Sequence, residues 1–235
     1  MPTVEITNSV AFITGGQRGI GKAFADELLA RGARKVYVTA RVPAPASDPR
    51  IVPLAMEVTD AASVAAAAAQ AGDTTIVINN AGVGGLGPLL ATDIEAARGL
   101  FEVNVFGALR IALVFAPILA ANGGGALVDI HSALSWISGA GAYGAAKAAF
   151  WSLTNSLRLE LAPQNTLVVG VHLGYTDTDM VARFPDVEKQ PPSAVAIAAL
   201  DALASGTTEV LVDQPSRYYK AALSGPVEGL NPGLS

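Results

Sequence analysis

The 235-residue chain predicts an α/β fold: a doubly wound parallel sheet (Rossmann-like) of about seven strands with helices on both faces. Three observations predict it. Short β-branched apolar runs alternate with longer helical ones from residue 10 to residue 212. A glycine-rich turn stands directly between the first strand and the first helix. No stretch reads as a linker, because the proline-rich loop 43–49 is short and apolar segments continue on both sides of it. A single domain spanning residues 1–235, with a substantial core, follows.

The elements follow in order. Residues 10–14 read as a buried strand, 20–31 as a helix stopped by Gly32, and 35–40 as a second strand. Residues 51–58 form a third strand interrupted by Pro53. Asp60 caps an alanine-rich helix that runs to about Ala71. A fourth strand covers 75–79, a long helix 95–119, and a fifth strand 126–130. Then come a helix at 142–161, a strand at 167–171, a helix at about 194–204 and a last strand at 209–212. Right-handed crossovers make the sheet doubly wound, so ligands belong beyond the carboxyl ends of the strands.

Composition narrows the function. The net charge of −5 and a charged fraction of 15% give no electrostatic footprint for nucleic acid. The absence of cysteine excludes disulfides, thiolate catalysis and cysteine-ligated metals. The two histidines, His131 and His172, are too few for a metal site. The first residues lack a basic segment followed by a long apolar run, and no uninterrupted apolar run reaches a membrane-spanning length of ~18 residues. A cytoplasmic protein without a membrane segment is the expectation.

The turn reads "TGGQRGIG", residues 14–21. Gly15, Gly19 and Gly21 allow a tight turn and close backbone approach, and the helix start behind them offers N–H groups to a pyrophosphate. Further along, "YGAAK" puts Tyr143 and Lys147 four residues apart, on one face of a helix. A free phenol, with a pKa of about 10, parts with its proton reluctantly near neutrality. A neighbouring ammonium is expected to lower that value and make the phenol a usable acid or base.

The glycine spacing resembles that of the short-chain dehydrogenase/reductase family, and the resemblance extends over nearly the whole chain. "NNAG" at 79–82 follows the fourth strand, "NVFG" at 104–107 lies in the long helix, and "DIHSALSW" follows the fifth strand. "HLGYTDTDM" at 172–180 follows the sixth. The resemblance implies an NADP-preferring carbonyl reductase with a catalytic set of Asn104, Ser132, Tyr143 and Lys147. It implies nucleotide contacts from Thr14, Gly15, Gln17, Arg18, Gly19, Ile20 and Gly21. Asn80, Ala81 and Gly82 would lie against the adenosine half, and Gly174, Thr176 and Thr178 near the nicotinamide. In the family the lysine also holds the nicotinamide ribose, and the asparagine joins a water relay to it. The substrate class implied is a small carbonyl compound or alcohol, and the assembly a homodimer or homotetramer packed through the long helices.

Cofactor preference is read at the end of the second strand. Ala40 stands where a carboxylate would bind a ribose 2′-hydroxyl, with Arg41 next to it and Arg18 in the glycine turn. Guanidinium forks suit a 2′-phosphate, so NADP(H) is expected over NAD(H).

Several positions depart from the family. Ten residues separate Ser132 from Tyr143, a loop shorter by two than usual, which keeps Ser135 as an alternative to Ser132. Glu57 precedes Val58 where an aspartate commonly meets the adenine, and Leu173 replaces a proline before Gly174. His172 reads as structural or pocket-lining, the tryptophans 136 and 151 as packing residues, and Leu134, Trp136, Leu173 and Tyr175 as walls of an apolar pocket. Two rival readings use the same scaffold. A lyase or dehalogenase without cofactor would disrupt the glycine turn and lose the lysine. A regulator that senses NADP without turnover would lose the tyrosine or lysine. All of these residues are present here.

Overall fold

The structure is a computed structural model that describes residues 2–231. Seven parallel strands form one sheet in the order β3-β2-β1-β4-β5-β6-β7. They are β1 (Val10–Ile13), β2 (Lys35–Ala40), β3 (Ile51–Ala55), β4 (Ile76–Asn79), β5 (Gly125–Ile130), β6 (Thr166–His172) and β7 (Glu209–Leu211). The strand order reverses between β1 and β4, which opens a crevice at their carboxyl ends.

Two apolar layers sandwich the sheet. On one face α1 (Gly19–Ala30) and α6 (Pro192–Ser205) bury Phe24, Leu28, Val195 and Leu200 against Ile13, Ile78, Val128 and Val169. On the other face α2 (Ala61–Gln70) and α4 (Ala108–Ala121) bury Val64, Ile111, Phe115 and Leu119 against Phe12, Val77, Leu127 and Val168. The rings of Phe12 and Phe115 lie 4.3 Å apart at its centre. The capping expectation holds: the Asp60 carboxylate accepts from the N–H groups of Ala62 and Ser63.

Two elements differ from the sequence reading. The third strand stops at Ala55: Met56 still donates to the Ala40 carbonyl, but the Glu57 carbonyl already accepts from the Asp60 N–H as the chain turns into the cap. An unforeseen helix, α7 (Gln214–Ala222), follows β7; Asp213 caps it by accepting from the Ser216 N–H.

The long helix also has more internal structure than its periodicity suggests. It is continuous from Ile94 to Ala121, as α3 (Ile94–Phe101), a π-helical stretch (Glu102–Gly107) and α4. Its 28 residues are long and apolar enough to cross a membrane, yet Ile111, Phe115 and Leu119 are buried against the sheet. It is a core helix here. α5 (Gly141–Glu160) packs beside it, over β5 and β6.

Candidate active site

The crevice begins at the glycine turn. Gly15 and Gly19 take positive φ values of 64° and 53°, and a Cβ on Gly21 would lie 2.3 Å from the Gly15 carbonyl oxygen. Only glycine lets the chain turn this tightly. Thr14 holds the turn to β4: its Oγ1 accepts from the N–H groups of Asn80 at 2.9 Å and Ala81 at 2.8 Å. The Asn80 amide donates back to the carbonyls of Thr14 at 2.9 Å and Gly15 at 3.3 Å. Arg18 occupies the N-cap of α1 with extended backbone and no side-chain cap. The first-turn N–H groups of α1 therefore face the crevice without an internal side-chain acceptor, as an anion cradle requires. A backbone cradle of this kind fits a dinucleotide pyrophosphate.

Beyond the cradle the catalytic candidates converge. Ser132 leaves the end of β5, and Tyr143 and Lys147 project from α5. All are buried, as is Asn104 in the π-helical stretch. The shortened loop keeps Ser132 within reach of Tyr143: the serine hydroxyl pulls the phenol pKa down, against a larger upward push from burial that takes it to about 12. The Ser132 Oγ also accepts from the Leu134 N–H at 3.2 Å. The Lys147 ammonium donates to the Ile130 carbonyl at 3.0 Å and lies 6.0 Å from the centre of the Tyr143 ring. Burial brings its pKa down to about 8, and the Asp129 carboxylate works against that fall.

The direction of the tyrosine shift corrects the sequence expectation. An adjacent lysine was expected to lower the phenol value. Desolvation wins instead, because a phenolate buried this deeply loses more hydration than its neighbours return.

Residues 9–189 match the short chain dehydrogenase family. The chain is 32% identical over 204 residues to a sorbitol dehydrogenase of Cereibacter sphaeroides, covering 80% of each protein. It superposes with a TM-score of 0.90 on a short chain dehydrogenase from Burkholderia cenocepacia solved in complex with NADP; identity is 36%, with 96% of this chain and 97% of that one covered. The fold is shared as well by a Burkholderia phymatum member solved with NAD, at 23% identity and a TM-score of 0.81, covering 94% and 95% of the two chains.

The chain belongs to the short chain dehydrogenase family.

It is thus an oxidoreductase of a family that uses nicotinamide cofactors. The residues expected to meet the nucleotide fall into place unevenly. Ile20 packs into the core behind the turn. The Gln17 amide clasps the Ala44 backbone, donating to its carbonyl at 2.7 Å and accepting from its N–H at 2.9 Å, so it ties the turn to the loop after β2. Arg41 is exposed at the end of β2. Arg18 is exposed too, but its guanidinium pairs with Asp179 at 3.1 Å. Glu57 spends one carboxylate oxygen on the Thr59 N–H at 3.2 Å, and Val58 is buried against Gly107.

The segment after β6 reaches back over the turn. Gly174 donates its N–H to the Asp213 carboxylate, which also accepts from Gln190 at 3.0 Å. Thr176 is buried and accepts from Gln190 at 3.3 Å. Thr178 stands against Gly19, where an added Cβ would lie 3.1 Å from its methyl group. This anchoring fixes the segment without the missing proline at Leu173.

Asn104 spends its amide on backbone. It donates to the carbonyls of Val83 at 3.0 Å and Leu100 at 2.9 Å, and accepts from the Val83 N–H at 3.3 Å. A Cβ on Gly82 would lie 2.9 Å from its Oδ1 and 3.8 Å from the Lys147 Nζ, so Gly82 is the spacer between the two side chains. Ser135, the alternative serine, is half-buried with its hydroxyl oxygen covered, and it lines a cavity of about 370 Å³ together with Leu89, Leu134, Trp136, Ile137 and Ala148. None of Asn104, Ser132, Tyr143 and Lys147 lines that cavity. Leu173 is a core residue, and Tyr175 packs edge-on to Phe184 at 5.6 Å, so neither walls it.

Two features escaped the sequence reading. His131 and His172 stack 4.8 Å apart behind Ser132, with Trp136 stacked on His172 at 4.2 Å. Burial holds His131 well below the usual imidazole range and takes His172 down to about 3, so both rings are neutral. Asp129 is the second feature, a wholly buried carboxylate in β5. The signal was present in "GALVDI", where one acid interrupts an apolar buried run.

Proposed function

We propose that the chain is an NADPH-dependent reductase of small ketones or aldehydes, reversible toward alcohol oxidation. One observation carries this reading: a buried, firmly protonated phenol sits beside a serine hydroxyl and a lysine, at the end of a glycine cradle. A phenol with a pKa of about 12 is a proton donor at neutral pH, and donation is what carbonyl reduction asks of it.

When bound in the crevice, a nicotinamide dinucleotide supplies the hydride. The residues that would hold it are the glycine turn, Asn80 to Gly82, the segment Gly174 to Thr178, and Lys147 on the ribose. Ser132 orients the carbonyl oxygen by hydrogen bonding. Tyr143 gives its proton to that oxygen as negative charge develops there. Lys147, as an ammonium, stabilises the phenolate left behind, and the second lone pair of the Asn104 Oδ1, whose amide nitrogen is spent on Val83 and Leu100, is the side-chain group left to hold a water that returns a proton. Burial excludes bulk solvent from all four groups, which strengthens each of these interactions.

The preference for a 2′-phosphate is supported by exposed Arg18 and Arg41, by the lack of an acid at Ala40, and by the NADP complex of the Burkholderia cenocepacia relative. The Arg18–Asp179 pair competes with it, since the guanidinium must share its donors. A homodimer or homotetramer is also proposed. Ile94, Phe106 and Leu113 are exposed along the long helix, an apolar face suited to a second copy. Light scattering on the purified protein tests this.

The activity test is a panel of ketones and aldehydes with NADPH, followed by the loss of absorbance at 340 nm. Activity is expected with the wild type and lost in Tyr143→Phe. A panel without turnover, or a Tyr143→Phe variant as fast as wild type, rejects the reading.

A further inference from the structure

The loop that carries Ser132 and the helix that carries Tyr143 each present an indole to a third element. Trp136 closes the short turn that begins at Ser132: its N–H donates to the Ala133 carbonyl at 3.0 Å, and the Ser135 N–H donates to the Ser132 carbonyl at 3.0 Å. Trp151 stands four residues beyond Lys147 on α5, so those two side chains share a helix face. The two indoles, from the two tryptophans of the chain, meet edge to face with ring centres 5.6 Å apart.

Lys220, in the last turn of α7, lies against both of them. Its Nζ is 5.3 Å from the centre of the Trp136 ring and 5.0 Å from that of Trp151, within the range at which an aromatic face attracts a cation. Glu209, at the start of β7, holds the ammonium with both carboxylate oxygens, each at 2.8 Å, and is itself fixed opposite Gly170 of β6. A partly exposed ion pair would do little by itself. This one differs because its cation touches a residue of the serine loop and a residue of the tyrosine helix together. The chain beyond α7 adds a second tie to the same loop, where the Ser138 N–H donates to the Leu230 carbonyl at 2.9 Å. The start of α7, through Asp213, holds Gly174 and Gln190 instead, so the two ends of one helix serve two different segments.

We propose that Lys220 is a positioning residue: its ammonium, set in place by Glu209, clamps Trp136 to Trp151 and so holds the turn that carries Ser132 against the helix that carries Tyr143. The loop between serine and tyrosine needs such a support. It contains Gly139 and Gly141 at φ values of 84° and 59°, which stiffen it little, so its shape is set from outside. Trp136 is also a wall of the 370 Å³ cavity, and the same clamp fixes that wall. The value of the clamp in turnover rests on the function proposed above, but the clamp itself does not.

The experiment compares Lys220→Met, which keeps the stem and removes the charge, with Lys220→Arg, which keeps the charge. Hydrogen exchange, followed by mass spectrometry on the protein without substrate or cofactor, reads the loop directly. Amides 132–140 are expected to exchange about two- to fivefold faster in Lys220→Met and at the wild-type rate in Lys220→Arg. Amides 174–178, tied to Asp213, are expected to keep their rate in both. The near-ultraviolet circular dichroism of the indole pair should change with methionine and return with arginine. In turnover, Lys220→Met is expected to lower the single-turnover rate about two- to fivefold and leave dinucleotide affinity unchanged. Wild-type exchange at 132–140 in Lys220→Met, equal loosening of 132–140 and 174–178, or a loop that arginine does not restore overturns the clamp. A loosened loop with an undiminished rate overturns the positioning role. If Lys220→Met proves unfolded, Glu209→Gln takes its place and is read in the same way. A preparation that turns over no carbonyl leaves the exchange comparison intact, so failure of the proposed function and failure of the clamp are told apart.

Discussion

The two halves of the crevice are built from different materials. At the carboxyl ends of β1 and β2 the buried polar residues are Thr14 and Thr39, both neutral hydroxyls. On the β5–β6 side they include Asp129, His131, Lys147 and His172, all ionisable. The first half offers shape, through a turn that only glycine can make and that Thr14 and Asn80 knit to β4. The second half gathers ionisable groups in a dry place. Shape costs little to keep at any pH. Buried charge costs desolvation, and its benefit is confined to the pH range in which the groups carry the right protons.

Four experiments would break or sharpen this contrast. The largest effect belongs to the charged half. Tyr143→Phe should lower turnover by about 10²- to 10⁴-fold while leaving dinucleotide affinity within a few-fold, measured by steady-state kinetics and fluorescence titration. Binding that fell as far as turnover would mean that the two halves are not separable.

Next is the acid sensitivity of the charged half. The His172 pKa is depressed by burial, so its contribution is fully present above about 6.5 and is lost as pH falls toward 3. That amounts to roughly 3 kcal/mol of stability between pH 6.5 and 4. Asp129 runs the opposite way: its raised value makes its contribution complete below about 4 and lost as pH rises through about 6. His172→Phe keeps a ring against Trp136 but removes the proton site. Urea unfolding at both pH values should show a smaller acid loss in this variant than in wild type. An unchanged difference would assign the acid sensitivity elsewhere.

The shape half is tested at Gly21. A methyl group there meets the Gly15 carbonyl, so Gly21→Ala should cost about 1–3 kcal/mol and displace the turn. Tm should fall, and dinucleotide affinity with it, to the same extent at pH 6 and pH 8. A strongly pH-dependent loss would contradict the neutral character of this half.

The smallest effect concerns the exposed rim. Arg18→Ala or Arg41→Ala should weaken NADPH binding by about tenfold each and leave NADH binding nearly unchanged, and Asp179→Asn should tighten NADPH by no more than a few-fold. Calorimetric titrations with both cofactors measure all three. Equal losses for NADPH and NADH would remove the case for the 2′-phosphate.

The two halves were also unequally legible. The turn could be read because its requirement is local: Gly15, Gly19 and Gly21 sit at fixed spacing between a β-branched run and a helical one. Most strands and helices were legible for the same reason. Tyr143 and Lys147 were legible as a pair on a helix face, but their protonation was not. It depends on burial beneath segments far away in the chain, which spacing does not encode. The His131–His172 stack and the Asn79–Asp129 contact arise from strand register, because Asp129 pairs with Gly170 and His131 lies level with His172. α7 was missed because "QPSRYYKAA" is polar overall and depends on the Asp213 cap. The identity of a substrate leaves no local pattern at all.

The π-helical stretch has a consequence of its own. A wide turn of this kind accommodates one residue more than the regular spiral around it, and Asn104 turns inward to satisfy the Leu100 carbonyl four positions back. Removing a single codon from 102–107 would let the spiral close into regular form while the flanking segments kept their faces. Phe115 would still meet Phe12, but the asparagine would swing off Val83 and away from the lysine. The protein would be whole, with the hold of Asn104 on Val83 lost to one amino acid.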